Sequence, residues 1–197
     1  MWVFLRKNSP VKKITDLSKL RISIGPEGSG TRILAKQILE LNHIKNTATQ
    51  LLALASTEAA DALIRSDIDA LIMVASSDSE IIQQLLRNKQ LKLLDLRRAD
   101  AYIRLIPYLS KITLPEGVID LETNIPGQAV TLLAPTANLV ITEDFNPALI
   151  VLLLRAADKI HSQASIFQHP GNFHPVNLLP TLLMKRQSAI IQPVRLY

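Results

Sequence analysis

The first half of the chain alternates between short apolar runs and segments with helical periodicity. The apolar runs predict four strands, at 20–24, 50–55, 68–74 and 91–96. Helical spacing of apolar residues predicts helices at 31–41 and 58–65, and the capping-box pattern Ser77-Asp-Ser-Glu80 opens a third helix. This β-α-β-α-β-α-β order predicts parallel strands joined by right-handed crossovers, with Ser77 as the capping residue.

The second half of the chain is less regular, because nine of its eleven prolines lie from Pro107 onward. Residues 101–109 are predicted to form a helix or a hinge segment. Strands are predicted at 129–134 and 137–142. The strongest helical pattern runs from Pro147, which suits a first helical turn, to residue 160. Beyond residue 162 no periodicity predicts an element.

The composition is that of a globular protein, and it excludes several classes of function. The chain is 48% hydrophobic and 20% charged, which allows a substantial core. It has no cysteine, so disulfides, thiolate metal sites and cysteine nucleophiles are excluded. The aromatic content of 4% argues against a stacking surface for single-stranded nucleic acid.

The net charge of +5 is concentrated in the tail of the chain. Residues 159–197 carry four basic residues and no acidic one, whereas residues 1–158 hold 18 basic and 17 acidic residues. No nucleic-acid partner is therefore predicted. The uncharged stretch 123–142 contains Pro, Gly and Asn residues and predicts no membrane span. Residues 1–7 place apolar residues before basic ones, so the chain as written is expected to carry no export signal.

One glycine-rich segment has a pattern with chemical meaning. It runs from Gly25 to Arg32 between the first predicted strand and helix, and holds three of the six glycines. Free backbone N–H groups at a helix start attract anions, glycine permits close approach, and an arginine fork suits a carboxylate or phosphate. The segment is not a Walker A loop, because Thr31 stands where the lysine belongs. The sequence therefore predicts an anion-binding turn in this segment. The alternative interpretation is a tight turn capped by Ser29 or Thr31, with the Arg32 side chain in solvent.

Other polar clusters favour ordinary structural roles. The histidines have no zinc-site spacing, so no metal or cofactor is predicted. The serines after the third strand suit helix capping, and Asp69 suits a strand start satisfied by backbone donors. The histidines are His161, His169 and His174, and the serines are Ser76, Ser77 and Ser79.

The order of these pieces resembles the TAXI family, the solute receptors of TRAP transporters with a type 2 periplasmic-binding-protein fold. The resemblance covers about residues 2–170. Its most specific parts are the Gly28-Ser-Gly-Thr-Arg32 turn and the Leu114-Pro-Glu-Gly117 turn, with a weaker pattern in 59–70.

The resemblance implies an α/β fold with one complete βαβ lobe and an incomplete second lobe. Residues 15–96 would form the complete ligand-binding lobe. Residues 1–14 would be a hinge and a strand of the other lobe. Residues 97–197 would return through the hinge and form the C-terminal part of that lobe, with the basic tail. The chain starts in the middle of the family's pattern, so the N-terminal part is expected to be lacking.

The resemblance further implies a catalytically inert receptor without a cofactor. It would deliver a small carboxylate, such as glutamate or a dicarboxylate, to the membrane components of a TRAP transporter, in the periplasm or cell envelope. One group of residues would grip the ligand, a second would line the cleft, and Tyr102 would lie near the hinge. The gripping residues are Ser29, Gly30, Thr31 and Arg32, and the lining residues are Ser56, Thr57 and Ala75.

Two other classes of protein share such a fold and stay open on the sequence. A phosphate-binding transferase of the ATP phosphoribosyltransferase type would use the same turn for phosphate, but it needs acidic residues for a metal–diphosphate substrate. An effector-sensing domain of a transcription regulator would need a helix-turn-helix segment. Neither the acidic set nor the helix-turn-helix segment is identified in the sequence.

Overall fold

The computed structural model describes residues 1–45, 48–136, 145–161 and 166–167, and the chain divides into two compact units, 1–134 and 135–197. The described strands are β1 (Trp2–Arg6), β2 (Arg21–Ser23), β3 (Gln50–Leu52), β4 (Ala70–Met73), β5 (Leu91–Leu93), β6 (Leu109–Leu114) and β7 (Val130–Pro135). The described helices are α1 (Gly30–Leu41), α2 (Ser56–Arg65), α3 (Glu80–Arg87), α4 (Ala99–Leu105) and α5 (Pro147–His161), with a 3-10 turn at Ile14–Leu17.

The first unit is built on a five-stranded sheet of order β3-β2-β4-β1-β5. Strand β2 pairs in parallel with both β3 and β4. Strand β1 is antiparallel to β4 on one side and to β5 on the other. Strands β2 to β5 therefore all run the same way, as the sequence predicts, and the α/β fold class is confirmed. Strands β6 and β7 form a separate two-stranded sheet.

The first unit of the structure extends beyond residues 15–96 at both ends, while the assignment of residues to two lobes stays a prediction. Strand β1 belongs to the residues 1–14 that are predicted to form a hinge and a strand of the other lobe. In the structure it lies inside the sheet of the first unit, because its backbone pairs with β4 and β5. At the other end, the unit continues past residue 96. Tyr102, Ile106 and Leu133 belong to the same buried apolar cluster as Val3, so the first unit continues to Ala134.

Strand β4 is apolar at every position, and β1 is apolar from Trp2 to Leu5, because both faces of the sheet are covered there. On β1, Val3 and Leu5 pack in a cluster with α1, and they lie opposite Ile72 and Ala70 of β4. The alternate residue Phe4 is 1% exposed and stacks with Trp2 at a ring separation of 6.3 Å on the other face. Period-two alternation thus divides one apolar run between two cores.

The helices are distributed over both faces of the sheet. The connection from β2 to β3 and that from β3 to β4 run in opposite directions along the sheet, so right-handed crossovers place α1 and α2 on opposite faces. Both helices pack against β4, and α2 also contacts α3. The result is a sheet with a helix on each side of its central strands.

In the described part of the second half of the chain, the helices and strands agree with those that the sequence predicts. Helix α4 lies where the sequence predicts a helix or a hinge at 101–109, and β7 matches the predicted strand at 129–134. In the second unit, α5 begins at Pro147 as predicted, and Leu149 and Leu153 on it are exposed. The predicted strand at 137–142 lies outside the described residues. Among the helices that are described, none has the length and apolar character needed to cross a membrane.

Candidate functional site

Apart from Tyr102, the predicted ligand-binding residues lie at the carboxyl edge of the parallel strands. The loop after β2 leads to α1 and the loop after β4 leads to α3, and these helices lie on opposite faces of the sheet. Neighbouring strands whose connections leave in opposite directions open a crevice between their ends. In open α/β sheets this crevice is where ligands bind, so the turn at 25–32 stands beside such a crevice.

The turn itself depends on two glycines with left-handed backbone. Gly25 has φ +85° and Gly28 has φ +76°, a region that other residues rarely adopt. A Cβ on Gly25 would lie 2.9 Å from the Ser29 hydroxyl oxygen, so no side chain fits there. The turn therefore brings its backbone close to the start of α1, where a ligand can also approach the backbone.

Ser29 is the N-cap of α1, as one of the two sequence interpretations predicts. Its Oγ accepts a hydrogen bond from the Arg32 N–H at 3.2 Å and donates one to the Pro26 carbonyl at 2.8 Å. The first N–H groups of a helix have no acceptor within the helix. With Arg32 N–H capped, the N–H groups of Gly30 and Thr31 are left to face a ligand or water.

Thr31 joins the two loops of the crevice. Its hydroxyl oxygen accepts a hydrogen bond from the backbone N–H of Val74, at the end of β4, over 3.1 Å. This contact fixes the start of α1 against the neighbouring strand. Thr31 thus holds the crevice wall in place, and one acceptor position of its hydroxyl oxygen is occupied within the protein.

Arg32 is the most unusual side chain of the crevice, because it is only 11% exposed. Its Nη1 donates to the Gly25 carbonyl at 3.3 Å, and its Nη2 lies 2.6 Å from the carboxylate of Glu27. Its Nε is buried without a hydrogen-bond partner. The sequence interpretation that put Arg32 in solvent is wrong, and the guanidinium retains an unused donor beside the start of α1.

The cleft-lining residues Ser56, Thr57 and Ala75 also lie at this edge. Ser56 and Thr57 are the exposed first residues of α2, which follows β3 and has no side-chain cap at its N-terminus. Ala75 follows β4, and its carbonyl accepts a hydrogen bond from Trp2 Nε1 at 2.9 Å. A second helix start with free N–H groups therefore opens on the same edge of the sheet.

Tyr102 does not belong to this site. It is buried at 6% exposure, and its hydroxyl exchanges hydrogen bonds with Asn42 at 2.8 and 3.0 Å. Asn42 caps the C-terminal end of α1, whereas Ser29 caps the N-terminal end. The helix has 12 residues and therefore separates the two ends by about 18 Å, at about 1.5 Å per residue. Tyr102 therefore lies apart from the turn and the cleft-lining residues, and a role for it in ligand binding stays a prediction.

Two further sequence assignments are resolved by the structure. Ser79 is the N-cap of α3, with its Oγ accepting from Ile82 N–H at 3.4 Å, so the assignment of Ser77 as the cap is wrong by two residues. Asp69 accepts from the Arg21 backbone N–H at 3.0 Å, as expected. It also pairs with the side chains of Arg6 and Arg21, and the Arg21 hydrogen bond holds its pKa below the usual range.

Two contributors to the crevice were not singled out from the sequence. Glu27 is 74% exposed and pairs with Arg32. The sequence does not indicate this pairing, because an acidic residue is not expected to take part in an anion-binding turn. Trp2 supports the loop after β4 from inside the sheet. Its only sequence signal is a lone tryptophan in an apolar run.

The other chemical features of the described residues lie elsewhere or are lacking. Among these residues no group of three His, Cys, Asp or Glu side chains could hold a metal ion. The larger described cavity, of about 700 Å³, is at the opposite edge of the sheet, since Arg6, Asp69 and Leu91 line it. The candidate site is therefore an open crevice defined by helix starts and Arg32.

The chain is similar to one known protein family and to several solved structures. The model of the NMT1-like family matches residues 1–166. The periplasmic aliphatic sulphonate binding protein SsuA from Escherichia coli shares 22% identity and a TM-score of 0.42, over 47% of this chain and 30% of that one. The substrate binding protein of an amino acid ABC transporter shares 22% identity and a TM-score of 0.37, over 48% and 38%.

A third structure, an ancestral arginine-binding protein bound to arginine, shares 16% identity and a TM-score of 0.36, over 47% of this chain and 39% of that one. The chain thus spans between 30% and 39% of the length of these three structures. No protein in the search of curated proteins matches the sequence.

The fold and the crevice define an α/β protein whose polar residues meet at the carboxyl edge of a mainly parallel sheet. The chain belongs to the NMT1-like family, whose model covers most of its length. The narrower resemblance to the TAXI family is not established by this match and stays a prediction.

Proposed function

We propose that this chain is part of a solute-binding receptor that serves a membrane transporter. The proposed ligand is a small carboxylate, such as an acidic amino acid or a dicarboxylate. Its carboxylate would sit at the N-terminus of α1, within reach of the Arg32 guanidinium. The proposed compartment is the periplasm or cell envelope, and a TRAP-type transporter is the proposed partner.

The observation that carries this proposal is the Arg32 side chain, which is largely removed from solvent and has a buried Nε without a partner. A guanidinium with an unused Nε donor at 11% exposure is costly unless an anion completes its hydrogen bonds. The free N–H groups of Gly30 and Thr31 lie at the start of the same helix, where the helix dipole also favours negative charge. The same place therefore offers a fixed cation and backbone donors.

The energetics require contacts beyond this turn. A helix N-terminus contributes about 0.3–1 kcal/mol toward an anion, and up to about 2 in partly buried sites. A charged hydrogen bond from arginine contributes about 1.5–3 kcal/mol. Micromolar affinity needs about 8 kcal/mol. Ser56 and Thr57 at the uncapped start of α2 would add some of the difference, and the proposal expects further ligand contacts.

The transferase alternative lacks support in the described part of the chain. It requires acidic residues near the phosphate-binding turn to hold a metal–diphosphate substrate. Glu27 is the acidic residue of this turn, and it pairs with Arg32. The proposal therefore keeps a binding function without a reaction.

The proposal is tested by calorimetric titration of the purified chain with glutamate, succinate and an alkanesulfonate. We expect at least one carboxylate to bind, and Arg32→Gln to weaken it about tenfold to a hundredfold because charged hydrogen bonds are lost. Arg104→Gln removes an exposed guanidinium on α4 and serves as the matched control, with no expected change.

Thermal melting of each variant separates lost binding from lost folding. Arg32→Lys keeps the positive charge without the planar fork and should fall between the wild type and Arg32→Gln. Two results would contradict the proposal: no heat with any carboxylate at millimolar concentration, or equal affinities for the wild type and a folded Arg32→Gln variant.

A further inference from the structure

The loop that follows β4 borders the same crevice as the turn at 25–32. The backbone N–H of Val74, the first residue of this loop, donates to the Thr31 hydroxyl oxygen at 3.1 Å. Ser76 comes two residues later, and two residues of chain span at most about 7 Å. The backbone of Ser76 therefore lies close to the start of α1.

The side chain of Trp2 holds this loop from inside the protein. Its indole Nε1 donates to the Ala75 carbonyl at 2.9 Å, and Trp2 is only 2% exposed. Trp2 stacks with Phe4, whereas the alternate residues Val3 and Leu5 pack with α1. The indole therefore lies on the face of the sheet opposite α1, and the Ala75 carbonyl is turned toward that face.

The direction of the Ala75 carbonyl fixes the direction of the next N–H group. The peptide bond between Ala75 and Ser76 is trans, and the C=O and N–H of a planar trans peptide point in opposite directions. The Ser76 N–H is therefore directed away from Trp2 and toward the side of the sheet where α1 begins. Within the described part of the chain this N–H has no acceptor, although the Ser76 carbonyl and hydroxyl accept from Ser79 and Asp78.

The orientation of this peptide matters because its two ends carry opposite partial charges. A carbonyl oxygen repels an anion, whereas an N–H group donates to it, and donors that are fixed in advance need no reorganisation when the anion arrives. Loss of the indole contact would let the 75–76 peptide turn its carbonyl toward the crevice. Trp2 removes that alternative beside the free N–H groups of Gly30 and Thr31.

We propose that Trp2 is a positioning residue of the crevice, and that the Ser76 N–H is a third backbone donor to the bound anion. This role rests on the proposed carboxylate-binding function. One oxygen of the carboxylate accepts from the start of α1 and the other accepts from Ser76, so the ligand joins two neighbouring strand ends. Trp2 itself is buried on the opposite face and acts through the Ala75 carbonyl.

Trp2 is the one tryptophan of the sequence, so replacing tryptophan throughout the chain changes this position alone. Biosynthetic incorporation of benzothienylalanine, which has sulfur in place of the indole N–H, keeps the ring shape and removes the donor. Calorimetric titration with succinate and with glutamate compares the two proteins. We expect the analogue to bind at least about threefold more weakly, because a charge-assisted hydrogen bond loses its fixed donor.

The Ser76 amide provides a readout that a loss of stability would not produce. In the isotope-labelled wild type, we expect its proton resonance to move downfield when a carboxylate saturates the chain, because a hydrogen bond to a charged oxygen deshields the amide proton. This response should shrink in the benzothienylalanine protein. Phe4→Leu is the matched control, since it shortens a side chain on the same core face but removes no donor to Ala75, and its affinity should equal that of the wild type.

The outcomes separate this role of Trp2 from the proposed function. Absence of carboxylate binding by the wild type at millimolar concentration would overturn both. If the wild type binds, then equal affinity in the folded benzothienylalanine protein, or an equal loss in Phe4→Leu, would overturn the role of Trp2 alone. A Ser76 resonance that does not respond to a saturating carboxylate would overturn the donor role of Ser76, whether or not the analogue folds.

Discussion

At the scale of single residues, the crevice already contains an anion of its own. The Glu27 carboxylate lies 2.6 Å from Arg32 Nη2, at the place where the proposed ligand carboxylate would bind. Glu27 is 74% exposed, so water solvates its carboxylate when the ion pair opens, whereas Arg32 at 11% exposure needs another anion in its place. A ligand carboxylate can therefore replace Glu27 at little cost, and Glu27 keeps Arg32 paired when no ligand is present.

This arrangement predicts that Glu27→Gln strengthens carboxylate binding. The substitution removes both the internal competitor and a negative charge, so affinity should rise by about two- to fivefold, in line with the strength of an exposed ion pair. Calorimetric titration with the best carboxylate of the panel measures the change. Glu40→Gln, on the exposed side of the same helix near its other end, is the control. Weaker binding in Glu27→Gln would instead make Glu27 a ligand contact.

The sequence predicts the backbone of this turn better than it predicts its side chains. Gly25, Gly28 and Ser29 follow local rules, since left-handed backbone favours glycine and helix starts favour serine. The position of the turn against the sheet depends on the contact of Thr31 with Val74, which lies 43 positions further along the chain. No local pattern carries that information.

At the scale of elements, the helix starts are not all held in the same way. Ser29 caps α1 and Ser79 caps α3, whereas α2 starts after Ala55 without a side-chain cap. The sequence places the start of α3 near the correct position but names the wrong serine. The capping-box pattern predicts Ser77 as the cap, yet its acidic residue Glu80 is the first residue of α3 itself.

The capping role of Ser79 predicts a specific loss of stability. Ser79→Ala removes the acceptor for Ile82 N–H and should lower the free energy of unfolding by about 1 kcal/mol. Urea denaturation followed by circular dichroism measures the change. Ser76→Ala, an exposed serine of the same loop that caps no helix, is the control. A larger loss in Ser76→Ala than in Ser79→Ala would contradict the assignment.

The order of elements could be predicted, but the neighbours of β1 could not. Strands β2 to β5 run in the predicted direction because short βαβ connections leave few alternatives. Residues 2–6 look like any buried strand, and their place between β4 and β5 is set by pairing with residues about 70 to 90 positions away. A local sequence pattern does not show which distant strands will pair.

At the scale of the whole molecule, Asp69 ties three strands together at the amino edge of the sheet. Its carboxylate accepts from Arg6 at the end of β1 and from Arg21 at the start of β2, and it precedes β4. The Arg21 hydrogen bonds are the main reason why the pKa of Asp69 lies below its usual range. The folded chain therefore holds this proton less readily than the unfolded chain.

That difference predicts a loss of stability in acid. The contribution of Asp69 is fully present above its unfolded pKa of about 3.9 and disappears as the pH falls through its lower folded pKa. Urea denaturation of the wild type and Asp69→Asn between pH 6 and pH 2.5 measures the effect. The stability difference between them should shrink as the pH falls below about 4. A difference independent of pH would show that the carboxylate charge is not involved.

The position of β1 also has a consequence for the order of events in folding. Strand β5 pairs with β1 on its inner side and is at the end of the sheet, so it joins the sheet through β1. Strands β2, β3 and β4 can associate through nearby crossovers, whereas β1 needs partners that extend to residue 93. Because distant contacts close slowly, the three parallel strands should assemble early and β1 should complete the sheet late. The part of the sheet that forms first would then be strands β2, β3 and β4, which include the strand that leads to Arg32.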